Sequence, residues 1–248
     1  MNTNKFSVAK TRDRSFATEP VLSRELLENG AYHHLFASAS SAVPFLTERE
    51  RVASLQEMLL QRPVGPVWVF GYGSLIWNPA LRYVERRSAI VQGWHRSFCL
   101  SMKAGRGSPD KPGLALGLES GGSCTGSAYR IDEHLVESEL TLLWRREMFS
   151  TGYLPRWVDL LDQDGIIFGS AITFIINSAS CQYAGQLSTE VVAERLATAF
   201  GRLGSAADYL FRTCAGLRNN GIPDSQLEAL SYRVALLQRA GAIPNASV

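Results

Sequence analysis

The sequence holds no apolar run of the roughly 18 residues that a membrane-spanning helix needs. Its four cysteines, Cys99, Cys124, Cys181 and Cys214, include no C-x-x-C pair, and its four histidines, His33, His34, His95 and His134, include no H-E-x-x-H. These gaps remove the common zinc and redox signatures, so no metal is expected. Scattered cysteines of this kind read as reduced thiols of a cytoplasmic protein. Net charge is also scarce. A balance of +2, with basic residues dispersed apart from Arg86-Arg87 and Arg145-Arg146, gives no ground for a nucleic-acid partner. No repeat or low-complexity tract points to an array or a tail-mediated protein partner. Residues 1–20 carry Lys5, Lys10, Arg12 and Arg14 with few acids, a pattern shared with transit peptides, but lack the apolar segment of a secretory signal, and read as a disordered tail.

What is present suits a globular domain. The chain has 248 residues, of which 46% are hydrophobic, ample for one large core. Residues 21–65 read as a helical extension. Within it Thr47 and Glu50 form a capping box, and Val52, Leu55 and Leu59 share a face. Arg62-Pro63-Val64-Gly65-Pro66 ends that extension. Strand-like segments follow at Val67–Phe70, Ala89–Leu100, Leu114–Glu119, Thr125–Ile131 and Ile166–Ile176, rich in Val, Ile, Phe and Tyr. A loop punctuated by glycine and proline covers Ser101–Gly113. Helices are expected over Asp132–Phe149 and through the last third. There Ser188 caps a stripe of Val192, Leu196, Ala199, Phe200 and Leu203, Ser205 with Asp208 starts a second helix, and Asp224 a third. Strands in the middle and helices at both ends indicate an α+β fold around a mixed or closed sheet, with the main domain over 66–240.

Two features carry chemistry. Along the helix Asp132–Phe149 the apolar stripe is Val136, Leu140, Leu143 and Trp144, and Glu147 falls on the same face at 3.6 residues per turn. A carboxylate turned toward a core has a raised pKa and becomes a better base. The alternative is a structural ion pair with an arginine at the helix rim. Glu133, Glu137 and Glu139 read as solvated or as helix-dipole residues. The second feature is the loop Val69-Phe70-Gly71-Tyr72-Gly73-Ser74-Leu75. Its alternating glycines free backbone N–H groups for an anion or an oxyanion, unless it is simply a tight turn at a strand end. A third glycine, a Gly-Lys-Ser/Thr and a Gly-x-Ser-x-Gly are all missing, so dinucleotide, P-loop and nucleophile-elbow chemistries are excluded. Lys103, Arg106 and Lys111 crowd the Ser101–Gly113 loop, either meeting substrate carboxylates or lying in solvent. Tyr153 could turn its hydroxyl to the same place or pack.

Taken together these residues resemble the ChaC-like family of glutathione-specific γ-glutamylcyclotransferases. The likeness runs in order through Trp68–Pro79, Gly93-Trp94-His95-Arg96-Ser97-Phe98, Arg106-Gly107, Lys111-Pro112-Gly113, Gly126–Arg130, Trp144-Arg145-Arg146-Glu147-Met148 and Tyr209-Leu210, covering about residues 66–240. The resemblance implies a γ-glutamylcyclotransferase-like fold, a mixed six-stranded barrel-like sheet flanked by helices. It implies conversion of glutathione into 5-oxoproline and cysteinylglycine without a cofactor. It places Glu147 as general acid/base and assigns substrate binding to Val69, Phe70, Gly71, Tyr72, Gly73, Ser74 and Leu75, with Arg106 and Tyr153 beside them. The alternatives are a cyclotransferase acting on other γ-glutamyl amino acids or amines, and a non-catalytic regulator of cation transport. After the glutamate helix the family often has Gly-Gly-Tyr, where this chain has Ser150-Thr151-Gly152-Tyr153.

Overall fold

The computed structural model of the protein describes residues 22–36 and 43–241. The tail expected over 1–20 lies outside them. Five strands close a barrel in the order β1 (Trp68–Gly71), β3 (Gly113–Arg130), β2 (Glu85–Met102), β4 (Tyr153–Leu161), β5 (Ile167–Ile176), and parallel pairing of β5 with β1 shuts it. β1 is buried along its whole length, as a continuously apolar strand paired on both sides should be. Antiparallel pairing with β3 sets Phe70 opposite Ala128, and parallel pairing with β5 sets Val69 opposite Ile172.

The α+β class and barrel-like sheet agree with the expectation, but among the described residues the barrel has five strands rather than six. The segments Leu114–Glu119 and Thr125–Ile131, read as separate strands, are one. β2 and β3 have 18 residues each, about 60 Å if straight at ~3.3 Å per residue. Register shifts between Gln92 and Trp94 and between Ser97 and Leu100 bend the pair around the wall. At the first shift Gly93 (φ +79°) faces Gly121 (φ +100°) and Gly122 (φ +67°), backbone angles that favour glycine. The Gly-Gly that looks like a turn is therefore a bulge inside a continuous strand. β4 has no counterpart among the expected strands. A second, two-stranded sheet pairs β6 (Phe200–Gly201) with β7 (Gly204–Ser205).

The helices surround this barrel. α1 (Arg24–Glu28), α2 (His33–Phe36) and α3 (Glu48–Leu60) precede it, and the capping box of Thr47 and Glu50 is formed in both directions. The inward face of α3 is Arg51, Leu55 and Met58, one step from the expected stripe, and Val52 is exposed. Arg51 can take that place because its guanidinium donates to the Leu46 carbonyl (2.6 Å) and to Glu48 (2.7 Å). α4 (Val136–Glu147) follows a 3-10 turn and buries Val136, Leu140, Leu143 and Trp144 as expected. α5 (Thr189–Thr198), α6 (Ala206–Asn219) and α7 (Ser225–Gly241) start at the expected caps Ser188, Ser205 and Asp224. α5 stops before Phe200, which is exposed in β6 instead of continuing the stripe.

Apolar side chains form two clusters. The larger fills the barrel and its helical cover. The smaller joins Leu27, Tyr32, Phe36 and Val43 of the N-terminal region to Ala104, Leu142 and Leu203. No helix among the described residues is long and apolar enough to cross a membrane.

Candidate active site

A pocket of about 670 Å³, mouth included, opens where the end of β1 meets the end of α4. Ser74, Trp77 and Asn78 line it from the first loop, Arg146, Glu147 and Phe149 from the end of α4, and Tyr153 from β4. Arg106, Tyr209, Leu22 and Phe36 close it from further along and back in the chain. That mix of apolar wall with a few convergent polar groups is that of a small-molecule site.

The loop reaches this place for a local reason. β1 ends at Gly71, and Ser74–Ile76 forms a single 3-10 turn held by Ile76 N–H donating to Gly73 O (3.0 Å) and Asn78 N–H to Ser74 O (2.9 Å). The leading N–H groups of such a turn have no partner inside it. A β-carbon on Gly71 would come within 2.7 Å of the Leu75 side chain, and one on Gly73 within 2.7 Å of the Tyr209 hydroxyl. Both glycines are thus required by close approach. Val69 and Phe70 are wholly buried in the barrel, and Leu75 is buried beneath the turn. Tyr72 points away from solvent and donates to Phe174 O (2.6 Å). Of the loop residues singled out from the sequence, only Ser74 itself lines the pocket.

Glu147 is the last residue of α4, and its side chain is 14% exposed at the base of the pocket. Its Oε1 accepts from Arg146 Nε at 2.8 Å, while Oε2 accepts no hydrogen bond among the described residues. Burial pushes the carboxyl above its ordinary range, and the charge and hydrogen bond of Arg146 oppose that only in part. Glu147 thus pairs with an arginine, as the structural alternative has it, and also lines the pocket. Arg146 is buried and extends the link to the loop, donating to Ser74 Oγ (2.9 Å) and to the Asn78 carbonyl. Ser74 Oγ, accepting there, retains its own hydrogen to donate.

Three phenols stand close enough to feel the charge of Glu147. Burial raises Tyr72 and Tyr153 well above the usual phenol value and Tyr209 to about 12, so all three stay neutral. Tyr153 donates to Leu116 O (2.5 Å), and Tyr209 Oη accepts from Leu116 N–H (3.4 Å). Arg106 is buried rather than solvated. It donates to Ser205 O (2.9 Å), stands 3.6 Å from Asp208, and lies over the rings of Tyr209 (5.5 Å) and Trp77 (5.9 Å). Lys111, in the same loop, is exposed.

Glu139 departs from its expected solvated position. It is wholly buried and accepts two hydrogen bonds from Arg24 (2.6 and 2.8 Å) and one from Arg82 N–H (2.9 Å). Nor does any sequence signal mark Arg146 as the link between helix and loop, or Leu22 and Phe36 as pocket walls. Arg146 and Leu22 meet Asn78 from 68 and 56 residues away in sequence, beyond the reach of helical spacing. Among the described residues no three His, Cys, Asp or Glu side chains gather as a metal-binding group.

Comparison with known proteins bears on this site. Residues 67–237 match the sequence model of the family described as ChaC-like protein. A protein of Escherichia coli named glutathione-specific gamma-glutamylcyclotransferase is 42% identical over 88% of this chain and 94% of its own length. A human protein named glutathione-specific gamma-glutamylcyclotransferase 1 is 31% identical over 66% of this chain and 75% of its own. A crystal structure of a yeast γ-glutamylcyclotransferase specific to glutathione superposes with a TM-score of 0.65 at 21% identity, covering 71% of this chain and 99% of the yeast chain, which establishes the shared fold.

Proposed function

The chain belongs to the ChaC-like family, and from that premise we propose that it is a glutathione-specific γ-glutamylcyclotransferase with Glu147 as its general acid and base. The observation that carries the reading is the free Oε2 of Glu147, on a carboxyl of raised pKa, at the base of a pocket beside a glycine-opened turn.

The reaction is intramolecular. The α-amino group of the γ-glutamyl moiety is protonated at neutral pH and cannot attack until a base removes a proton. Glu147 Oε2 takes it, while Arg146 holds Oε1 and so fixes the carboxylate plane. The nitrogen then forms a bond to the γ-carbon, closing a five-membered ring and placing negative charge on the former carbonyl oxygen. The leading N–H groups of the 3-10 turn, which have no partner inside the turn, and the Ser74 hydroxyl are suited to that oxyanion. Collapse breaks the bond from the γ-carbon to the leaving nitrogen. Glu147 gives its proton to that nitrogen and takes the extra proton left on the ring nitrogen, which it passes to solvent, releasing 5-oxoproline and cysteinylglycine. No side-chain nucleophile or cofactor enters this scheme. Holding the folded-back glutamyl chain can supply roughly 7–11 kcal/mol in well-oriented intramolecular reactions, which suits a walled pocket.

In this scheme the loop from Val69 to Leu75 holds the γ-glutamyl group, with Ser74 in contact and Val69, Phe70, Gly71, Tyr72, Gly73 and Leu75 shaping the turn behind it. Arg106 faces a substrate carboxylate, and Tyr153 borders the glutamyl end. Four cysteines without a disulfide support a cytoplasmic setting.

The test is to incubate the purified full-length protein with glutathione, with γ-glutamylalanine and with a γ-glutamylamine, and to assay 5-oxoproline. Release from glutathione far above the other two is expected. Release mainly from γ-glutamylalanine or the amine would reassign the substrate, and none from any would overturn the enzymatic reading.

A further inference from the structure

Two pocket residues, Leu22 and Phe36, lie in the N-terminal arm of residues 22–36, well before residue 67 where the family-matched segment begins. Their placement is built rather than incidental. Phe36 stacks on Phe149 with ring centroids 4.5 Å apart and planes 17° from parallel, and Phe149 follows Glu147 by two residues. On its other side Phe36 crowds Gly105, where a β-carbon would stand 3.0 Å from the Phe36 ring and 3.1 Å from Leu203. Gly105 directly precedes Arg106, so the ring sits between the two ends of the pocket wall. At the other end of the arm, the Leu22 carbonyl accepts from Asn78 Nδ2 (3.0 Å), and the Asn78 carbonyl accepts from Arg146.

The arm is also held in one register. Glu139 is wholly buried on α4, and both its oxygens are taken by Arg24 of α1. Sliding the arm by one residue would leave that carboxylate buried and unpaired, which is far costlier than losing apolar contact. Arg202 adds a hydrogen bond to the His34 carbonyl (2.7 Å) at the end nearest Phe36. The charge pair docks the arm; Leu22 and Phe36 are what the docked arm presents to the pocket.

We propose that the arm is a specificity wall of the active site, in which Leu22 and Phe36 cover the part of the pocket that receives the leaving amine and exclude bulky leaving groups. This rests on the reading that the pocket takes a γ-glutamyl compound. Glu147, Arg146 and Ser74 form the polar side of the pocket. Phe36, Phe149, Leu203 and Met102 are apolar members of the lining, Phe36 stacked on Phe149 and gathered with Leu203 around Gly105. A substrate whose α-amine meets Glu147 then lays its remainder past these apolar residues, with Arg106 beside them for its carboxylate. A fixed aromatic wall there tolerates a small side chain and clashes with a large one. The active unit accordingly reaches back to residue 22 instead of beginning at 66.

The experiment uses the full chain and three variants, Phe36→Ala, Phe36→Leu and Arg24→Ala, with circular dichroism to verify the fold. Steady-state 5-oxoproline release is measured on glutathione and on γ-glutamylphenylalanine. In Phe36→Ala the preference for glutathione in kcat/KM should narrow roughly ten-fold or more, the scale on which an apolar pocket discriminates by size, chiefly through KM. Phe36→Leu should fall between it and the parent. Arg24→Ala lines no part of the pocket, yet should shift the preference in the same direction because it undocks the wall. A preference unchanged within about two-fold in all three folded variants, with the parent active, would overturn the proposal and leave the arm a purely structural cover. A parent that releases no 5-oxoproline from either compound would instead remove the cyclotransferase reading, and this proposal with it.

Discussion

Glu139 and Glu147 sit on the same helix, two turns apart, and both are withdrawn from solvent, yet they are opposite kinds of site. Glu139 has both oxygens filled by Arg24 and Arg82 N–H and no route to the pocket. Glu147 has one oxygen filled by Arg146 and the other free at the pocket base. Burial alone therefore does not mark a catalytic carboxylate. A buried carboxylate with both oxygens engaged is a fastener between α1 and α4, and the free energy of its burial is offset by its partner. One with a free oxygen, a raised pKa and a cavity in front of it can exchange a proton. Arg146 and Arg24 carry the difference: Arg24 donates to both oxygens of Glu139 besides one of Glu28, whereas Arg146 donates to one oxygen of Glu147 and turns its other nitrogens to Ser74 and Asn78.

Filling the open side should break the contrast most severely. In Gly73→Val the new β-carbon alone would fall 2.7 Å from the Tyr209 hydroxyl, so the turn must shift. Glutathione binding measured by calorimetry is expected to vanish, and an unchanged affinity would show that the turn does not hold the substrate. Next comes the closed side. Glu139→Ala should cost about 3 kcal/mol, the low end for breaking a buried pair because Arg24 keeps some solvent contact. Thermal melting should fall by roughly 6–12 °C for a chain of this size, while kcat for glutathione stays within a few-fold. A kcat loss as deep as that of a Glu147 variant would erase the distinction. The smallest effect is a displacement in pH. Glu147 must be ionised to act as base, so activity is lost as pH falls through its raised pKa, and the acid limb of the kcat profile should lie above the ordinary glutamate range. Arg146 favours the ionised form, so Arg146→Met should move that limb to still higher pH. A shift to lower pH would contradict the assignment of the limb to Glu147.

What can be read from the sequence depends on distance along the chain. Glu147 is legible because the stripe Val136, Leu140, Leu143 and Trp144 is local, and 3.6-residue spacing places its successor. Glu139 is misread because its partner stands 115 residues away in an arm that looks like an appendage. β4 escapes because Pro155, Arg156 and Asp159 interrupt the apolar alternation that a half-buried strand usually shows. The bulge at Gly121-Gly122 imitates a turn because glycine with positive φ serves both. The inward face of α3 slips by one residue because a long arginine can bury its stem and still reach a carbonyl. Fold class and family are legible, since both rest on many weak local signals that agree. The pocket is not, since it is assembled from stretches scattered between Leu22 and Tyr209.

The most direct measurement is release of 5-oxoproline from glutathione by Glu147→Gln, set beside its melting curve. The amide keeps the shape and can still accept from Arg146, but it cannot take the proton. The account predicts a loss of at least ~10²–10⁴-fold, the usual contribution of a general acid or base, in a protein whose folding transition stays close to that of the parent. Turnover at the parental rate in the folded variant would contradict it.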